Sequence, residues 1–306
     1  MSSIDDDQVL CILYKNAMEK IKEYVNEELT KYDGIYLPVR AGFLEQLLVK
    51  KLSPEKLHPN PNDEFCSPEI GPNDGIIGKY LKQIRFNEQH SMPPFDEPLI
   101  IEKMRPDGYM LLNGHHRWAA ALMLNLKTVP VEVTNLIHKH DIIGRMEKSS
   151  RNKRASINLD DVVFCPNETE PAEKRLIFPF RKFFPERIRL GIPGLVYALQ
   201  NAGYDVWIYT TGYASTDYLN HLFWYYKIKP DGIINGANRM NSGKDNDWEN
   251  VKELMARKYR ITLNIDMDAV SWIRSETKDF EMIYIDSKDG SWAQQVIAIV
   301  RKLKDL

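Results

Sequence analysis

Gly108-Tyr109-Met110-Leu111-Leu112-Asn113-Gly114-His115-His116-Arg117-Trp118-Ala119-Ala120-Ala121-Leu122-Met123 decides the fold of the first half of the chain. Tyr109 to Leu112 is a short apolar run of strand length, and Trp118 to Met123 is rich in alanine, the best helix former. A strand therefore passes directly into a helix through Asn113-Gly114. The first backbone N–H groups of a helix have no intrahelical partner and sit at the positive end of its dipole, so such a turn attracts anions. Gly114 lets an anion approach the backbone, Asn113 offers a capping oxygen, and His115, His116 and Arg117 add donors suited to a phosphate, Arg117 in bidentate fashion. These five residues are the candidate phosphate-binding set.

Upstream, Pro98 to Met104 reads as a strand joined to Gly108–Leu112 by the turn Arg105-Pro106-Asp107-Gly108, whose Pro-Asp-Gly suits a tight hairpin. A helix is expected from about Ile76 to Phe86, with Ile77, Tyr80, Leu81 and Ile84 on one face. Before it lies LHPNPNDEFCSPEIGPNDG, residues 57–75, a long polar loop of the kind that is functional inside a compact domain. It supplies the carboxylates Asp63, Glu64 and Glu69. A short strand LLVKKL, residues 47–52, precedes it, and an amphipathic helix from Val9 to Leu29 forms an N-terminal packing arm. Downstream, TVPVEV, residues 128–133, closes the first unit.

The segment LIHKHDIIGRMEKSSRNKRAS, residues 136–156, ends in clustered Lys and Arg. With no aromatic residues interleaved to stack on bases, its second half reads as a solvated interdomain linker, and its first half is open to a helix packed on either domain. Beyond it strands and helices alternate: DDVVFC, a helix over 189–202, YDVWIYT, a helix over 215–226, DGIIN, a helix over 247–258, RITLNID, FEMIYID and a closing helix over 290–303. That succession implies a mainly parallel, doubly wound sheet.

Bulk properties set limits. The chain has 306 residues, which suits two domains, and 41 Lys plus Arg against 43 Asp plus Glu give a formal charge of -2, so no global basic field exists to hold nucleic acid. No apolar run is long enough for a membrane span and MSSIDDDQ lacks a signal-peptide pattern, so a cytoplasmic protein with no membrane association is expected. Cys11, Cys66 and Cys165 are odd in number and widely spaced, against a disulfide framework or a zinc site.

The order of elements, the Pro-Asn-Pro loop and the Gly-His-His-Arg turn together resemble the ParB/sulfiredoxin fold over roughly Leu47 to Val133. In that fold the turn binds nucleotide phosphates: partition proteins use CTP, sulfiredoxins ATP, and free-serine kinases ADP or ATP. Those kinases carry Asp-Gly-His-His-Arg, where this chain has Asn113. His115 stands where sulfiredoxins need their Cys, and no helix-turn-helix pattern follows. The kinase-like branch implies a catalytic carboxylate in the 57–75 loop, Glu64 first and Asp63 next, with His116 assisting.

VVFCPNETEP, residues 162–171, is similar to motif I of the haloacid dehalogenase (HAD) superfamily, with Thr210, Lys244, Asp266 and Asp268 as later landmarks. The resemblance puts Cys165 at the nucleophile position and Asn167 at the general-acid position, leaving Asp266 and Asp268 as a weak magnesium site. Ordinary phosphatase chemistry is then not expected, and Cys165 is either a remnant or a thiol nucleophile.

The expected protein is thus α/β: a helical arm over 1–45, an α+β ParB/sulfiredoxin-like nucleotide-binding domain over 46–140, a linker over 141–157 and a degenerate HAD-like, doubly wound Rossmannoid domain over 158–306. The expected function is a nucleotide-dependent phosphotransferase using ATP or ADP, or CTP, with Mg2+ and a small hydroxylated substrate. Nucleic acid is not expected as a partner, and the oligomeric state stays open. The alternative is a nucleotide-binding switch or a nucleic-acid-associated ParB-like protein, CTPase or nuclease in type, without kinase activity.

Overall fold

The computed structural model describes residues 6–32, 37–236, 247–286 and 290–303. The chain is an α/β protein with two mixed sheets, one in each of two compact units; the first runs to Asn135 and the second begins at Leu136.

In the first unit the hairpin read from the sequence forms the middle of the sheet. β4 (Leu99–Arg105) and β5 (Tyr109–Asn113) pair antiparallel, and β6 (Val129–Thr134) adds parallel to β4. β2 (Lys51–Leu52) and β3 (Leu57–His58) complete the order β2-β6-β4-β5-β3, and β1 (Leu37–Pro38) pairs with the far end of β4. Gly108 turns the hairpin at φ +73°, and a Cβ there would lie 2.4 Å from His58 Nε2, so the glycine also lets β3 approach the turn. Helices α3 (Asp74–Gln89) and α4 (His115–Met123) pack together, burying Ile77, Ile84, Trp118 and Ala119 to Ala121 with Leu99, Ile101 and Leu111 of the sheet.

One expectation is corrected here: of residues 47–52, expected as a strand, Leu47 and Leu48 end the short helix α2 (Phe43–Leu48), which buries none of its residues, and only Lys51–Leu52 is extended. The helix α1 (Asp6–Tyr32) places Met18, Ile21 and Val25 in the same core as Trp118. The Tyr14 hydroxyl donates to the Asp74 carbonyl at 2.6 Å and the Tyr32 hydroxyl to Asp107 at 2.9 Å, so α1 is continuous with the core of the first unit.

In the second unit β7 (Lys153–Asn158) is central, with β8 (Tyr204–Tyr209) then β9 (Gly232–Ile234) parallel on one side and β10 (Ile261–Ile265) parallel on the other. β11 (Ala269–Arg274) and β12 (Phe280–Tyr284) extend the β10 edge antiparallel. The helices here are α5 (Lys139–Lys148), the short α6 (Phe180–Phe183), α7 (Ile192–Asn201), α8 (Thr216–Tyr225), α9 (Asp247–Lys258) and α10 (Trp292–Lys302). The two faces of β8 show the winding: Val206 and Ile208 pack with Leu195, Leu199, Val296 and Val300 of α7 and α10, whereas Trp207 packs with Ile142 of α5 and with Met255 and Tyr259 at the end of α9.

Residues 139–148 are helical, the alternative left open for the first half of the segment, whereas the second half of the expected linker and the expected first strand of this unit both differ from the structure: 153–158 form the central strand and 159–163 make a π-helical turn. Lys153-Arg154 disguised the strand, since only Ala155 and Ile157 point into its apolar core, and Arg151 ahead of it pairs with Asp205 at 3.2 Å and Asp231 at 3.0 Å. Val162 and Val163 are fully buried without being extended, which made DDVVFC look like the strand. β11 has no counterpart in the sequence reading.

Candidate functional site

β5 ends at Asn113, which pairs with Ile100 beside a bulge, and Gly114 caps α4 at φ +103°, ψ 26°. Asn113 is therefore the last residue of a strand and caps nothing; no side chain caps this helix start. The unfilled start opens onto a pocket of about 560 Å³ lined by Asn113 through Arg117, by Asp63, and by Asp96 and Glu97. A Cβ on residue 114 would stand 2.5 Å from Leu99 Cδ2 and 3.0 Å from Arg117 Nη2, so both backbone angle and space demand glycine.

The two histidines are held by the 57–75 loop. The Asn60 backbone N–H donates to His115 Nε2 at 3.1 Å and the Asn73 N–H donates to His116 Nε2 at 3.2 Å. An N–H can only donate, so each Nε2 is unprotonated and each neutral ring carries its hydrogen on Nδ1. His115 Nδ1 lies 3.3 Å from Asp63 Oδ2. Burial pushes the His115 pKa down to about 4, against the opposing pull of Asp63, and burial also lowers that of His116. Each imidazole thus uses Nε2 as an acceptor within the fold: His115 is a buried neutral strut, and His116 joins the pocket wall to α3.

Arg117 is buried, its Nη1 donating to the Glu97 carbonyl at 2.7 Å and its guanidinium 6.0 Å from the Phe95 ring centroid. It thereby ties the α4 start to the Pro94-Phe95-Asp96-Glu97-Pro98 segment that forms another wall. Asp63 accepts from the Phe65 N–H at 2.9 Å, which turns the chain so that Phe65 packs edge-on to His116 at 5.0 Å. Among the loop carboxylates the structure brings Asp63 to the pocket and leaves Glu64 and Glu69 exposed outside its lining. Asp96 and Glu97 were missed; the signal was the proline-flanked acidic pair just ahead of β4. The Cys66 thiol is pushed up to about 12, chiefly by burial, as suits a packing residue.

In the second unit the residues picked from the HAD resemblance separate. β7 ends at Asn158, so the carboxylates following the strand are Asp160 and Asp161, and the Thr210 hydroxyl donates to Asp160 at 2.6 Å. Asp266, after β10, has its pKa raised by burial and by the charges of Asp268 and Asp161. Cys165 lies seven residues past the end of β7, 3.6 Å from Glu170, with its thiol pushed up by burial more than Arg189 lowers it. Asn167 is exposed and donates to Glu170 at 3.1 Å. Lys244 lies outside the described residues. Among the described residues no group of three His, Cys, Asp or Glu side chains is arranged to hold a metal ion, and no helix is long and apolar enough to cross a membrane.

Comparison with curated proteins gives no match. Among the similar solved structures are two of the C-terminally truncated chromosome-partitioning protein ParB from Caulobacter crescentus. The one complexed to the centromeric parS site is 25% identical, covers 32% of this chain and 47% of that chain, and has a TM-score of 0.23. The one complexed with CTP-γ-S is 24% identical, covers 34% and 55%, and also has a TM-score of 0.23. The matches thus span about half of those proteins. The expectation that nucleic acid is no partner, drawn from net charge and a missing helix-turn-helix pattern, is withdrawn on the family match to a ParB N-terminal domain. Residues 91–149, which include the hairpin, the Gly-His-His-Arg turn, β6 and α5, match the ParB N-terminal domain family, so the chain contains a ParB-like domain.

Proposed function

We propose that this protein is a nucleotide-binding, nucleic-acid-associated ParB-like protein that takes the nucleotide phosphates at the start of α4. One observation carries the proposal: a helix start without a side-chain cap, held open by a glycine at φ +103°, faces a polar pocket of about 560 Å³. Backbone N–H groups at such a start bind phosphate oxygens in place of the missing cap. Arg117 positions the pocket wall and reaches the phosphates on nucleotide entry. Asp63, Asp96 and Glu97 oppose a bare triphosphate, so Mg2+ would arrive on the nucleotide, with phosphates and water completing its shell rather than a protein cage.

The test is titration calorimetry of the full chain with CTP, ATP, ADP and GTP, with and without Mg2+. Arg117→Ala should weaken the preferred nucleotide by about 1.5–3 kcal/mol, roughly 10- to 150-fold. Equal affinity in wild type and variant, or no binding of any nucleotide, would refute the placement.

A kinase-like phosphotransferase is the second reading. Supporting it is Asp63, a carboxylate in the pocket lining where a base must orient an acceptor hydroxyl. Full turnover of a small hydroxylated acceptor by Asp63→Ala would remove it. For the second unit we retain the HAD-like reading. What supports it is the β9-β8-β7-β10 parallel order and the Asp160–Thr210 hydrogen bond, with the motif I position now at Asp160-Asp161 instead of Cys165. Cys165 is then no longer a reason to exclude phosphatase chemistry. Phosphate release from a generic phosphoester, lost in Asp160→Asn and kept in Cys165→Ala, tests that assignment.

A further inference from the structure

The sheet of the second unit is polarised from end to end. Asp160, Asp161, Asp266 and Asp268 follow the C-terminal ends of β7 and β10. At the opposite end, where β7 and β10 begin and β11 finishes, the cations gather. Register explains part of the gathering: Ile261 pairs with Lys153 on one side and with Arg274 on the other. In-register neighbours on adjacent strands point to the same face, so Lys153 and Arg274 flank Ile261 across about 10 Å of sheet. Together with Arg260 they line a concavity of about 210 Å³. Its one carboxylate, Glu276, lies 3.1 Å from Arg260 and offsets only that charge. Lys153 and Arg274 have no acidic partner within ion-pair distance among the described residues.

The cations continue past the pocket. Lys148 ends α5, a few residues ahead of β7, and Lys278 stands in the turn between β11 and β12; both are exposed. Other cations nearby are already used: Arg151 by Asp205 and Asp231, Lys258 by the Ser149 carbonyl at 2.7 Å, and Arg257 by Glu253. A single small phosphate would satisfy the three pocket cations and leave Lys148 and Lys278 unexplained, whereas a chain of phosphates meets all five. The clustered basic residues near 148–154 are then the approach to a surface that only the sheet register assembles.

We propose that the edge of the second unit formed by Lys153, Arg260 and Arg274, flanked by Lys148 and Lys278, binds the phosphodiester backbone of nucleic acid without reading its sequence. This deepens the nucleic-acid part of the proposed function and is independent of the nucleotide pocket.

The experiment is fluorescence anisotropy of the full chain with a labelled duplex and with its single strand, over a range of salt, for wild type and Lys153→Ala/Arg260→Ala/Arg274→Ala. Wild type should bind at least one of them. The triple variant should lose about tenfold or more in affinity, and its log-log salt slope should shrink by about 2–3, three phosphate contacts at ~0.7–0.9 each. Circular dichroism verifies that it is folded, and its CTP affinity should equal that of wild type. Nucleic-acid binding with unchanged slope in the folded variant overturns this surface and leaves the wider reading standing. Failure of wild type to bind either strand form overturns both, and displacement of bound nucleic acid by equimolar inorganic phosphate assigns the pocket to a small anion and overturns the backbone proposal.

Discussion

Gly114→Ala tests the site at its narrowest point. An L-residue in the left-handed region costs about 1–2 kcal/mol, and φ is +103° here. The new Cβ would also meet Leu99 Cδ2 at 2.5 Å, and Leu99 is fully buried, so a packed core side chain must shift. Overpacking of that kind costs about 1–3 kcal/mol. The expected total is roughly 2–5 kcal/mol, a large share of the ~5–15 kcal/mol that stabilises an ordinary domain. Arg117 Nη2, 3.0 Å from the added carbon, must also move, so nucleotide affinity should fall together with stability. Urea unfolding of the full chain measures the loss, and amide exchange across residues 99–123 locates it. Gly144→Ala is the matched control: it lies inside α5 with open space around its would-be Cβ, so it should leave stability unchanged or raise it by about 0.5–1 kcal/mol. If Gly114→Ala unfolds within ~0.5 kcal/mol of wild type, the turn geometry and the anion-site argument built on it are both wrong.

His115 makes the first unit acid-sensitive. Its folded pKa, near 4, lies below the 6.5 of the unfolded chain, so the unfolded state binds the extra proton between those values. The associated stability, on the order of 3 kcal/mol, is complete above about pH 6.5 and is lost as pH falls towards 4; urea midpoints should drop from pH 7.5 to pH 5 in wild type and drop less in His115→Gln. Cys66 and Cys165, whose thiols are both raised by burial, should resist alkylation at pH 8 in the native protein and react promptly in urea, as peptide mass spectrometry would show. Rapid native alkylation of Cys165 would restore it as a candidate nucleophile.

The sequence by itself determined those elements whose period and turn chemistry are local. The β4–β5 hairpin follows from Pro106-Asp107-Gly108, and α4 from an alanine-rich run behind a glycine. β8 and its flanking helices follow from apolar runs bounded by breakers. The Gly-His-His-Arg turn lies in the lining of the pocket, since a strand-to-helix turn exposes backbone N–H groups whatever surrounds it.

Tertiary structure decided what depends on partners distant in the chain. Imidazoles at a helix start read as donors in the sequence; the N–H groups of Asn60 and Asn73, far away in sequence, make Nε2 of both His115 and His116 an acceptor. Asp63 rather than Glu64 lines the pocket because its side chain caps the turn that seats Phe65. β7 escaped the sequence reading since a central strand needs only Ala155 and Ile157 to face its core once β8 and β10 supply the hydrogen bonds, while buried Val162 and Val163 imitated a strand. Lys153 and Arg274 stand 121 positions apart, and only the shared neighbour Ile261 makes them one surface. Composition averaged those charges to -2; the register of the sheet separates them into an acidic and a basic edge, because pairing fixes which side chains meet and a net charge does not.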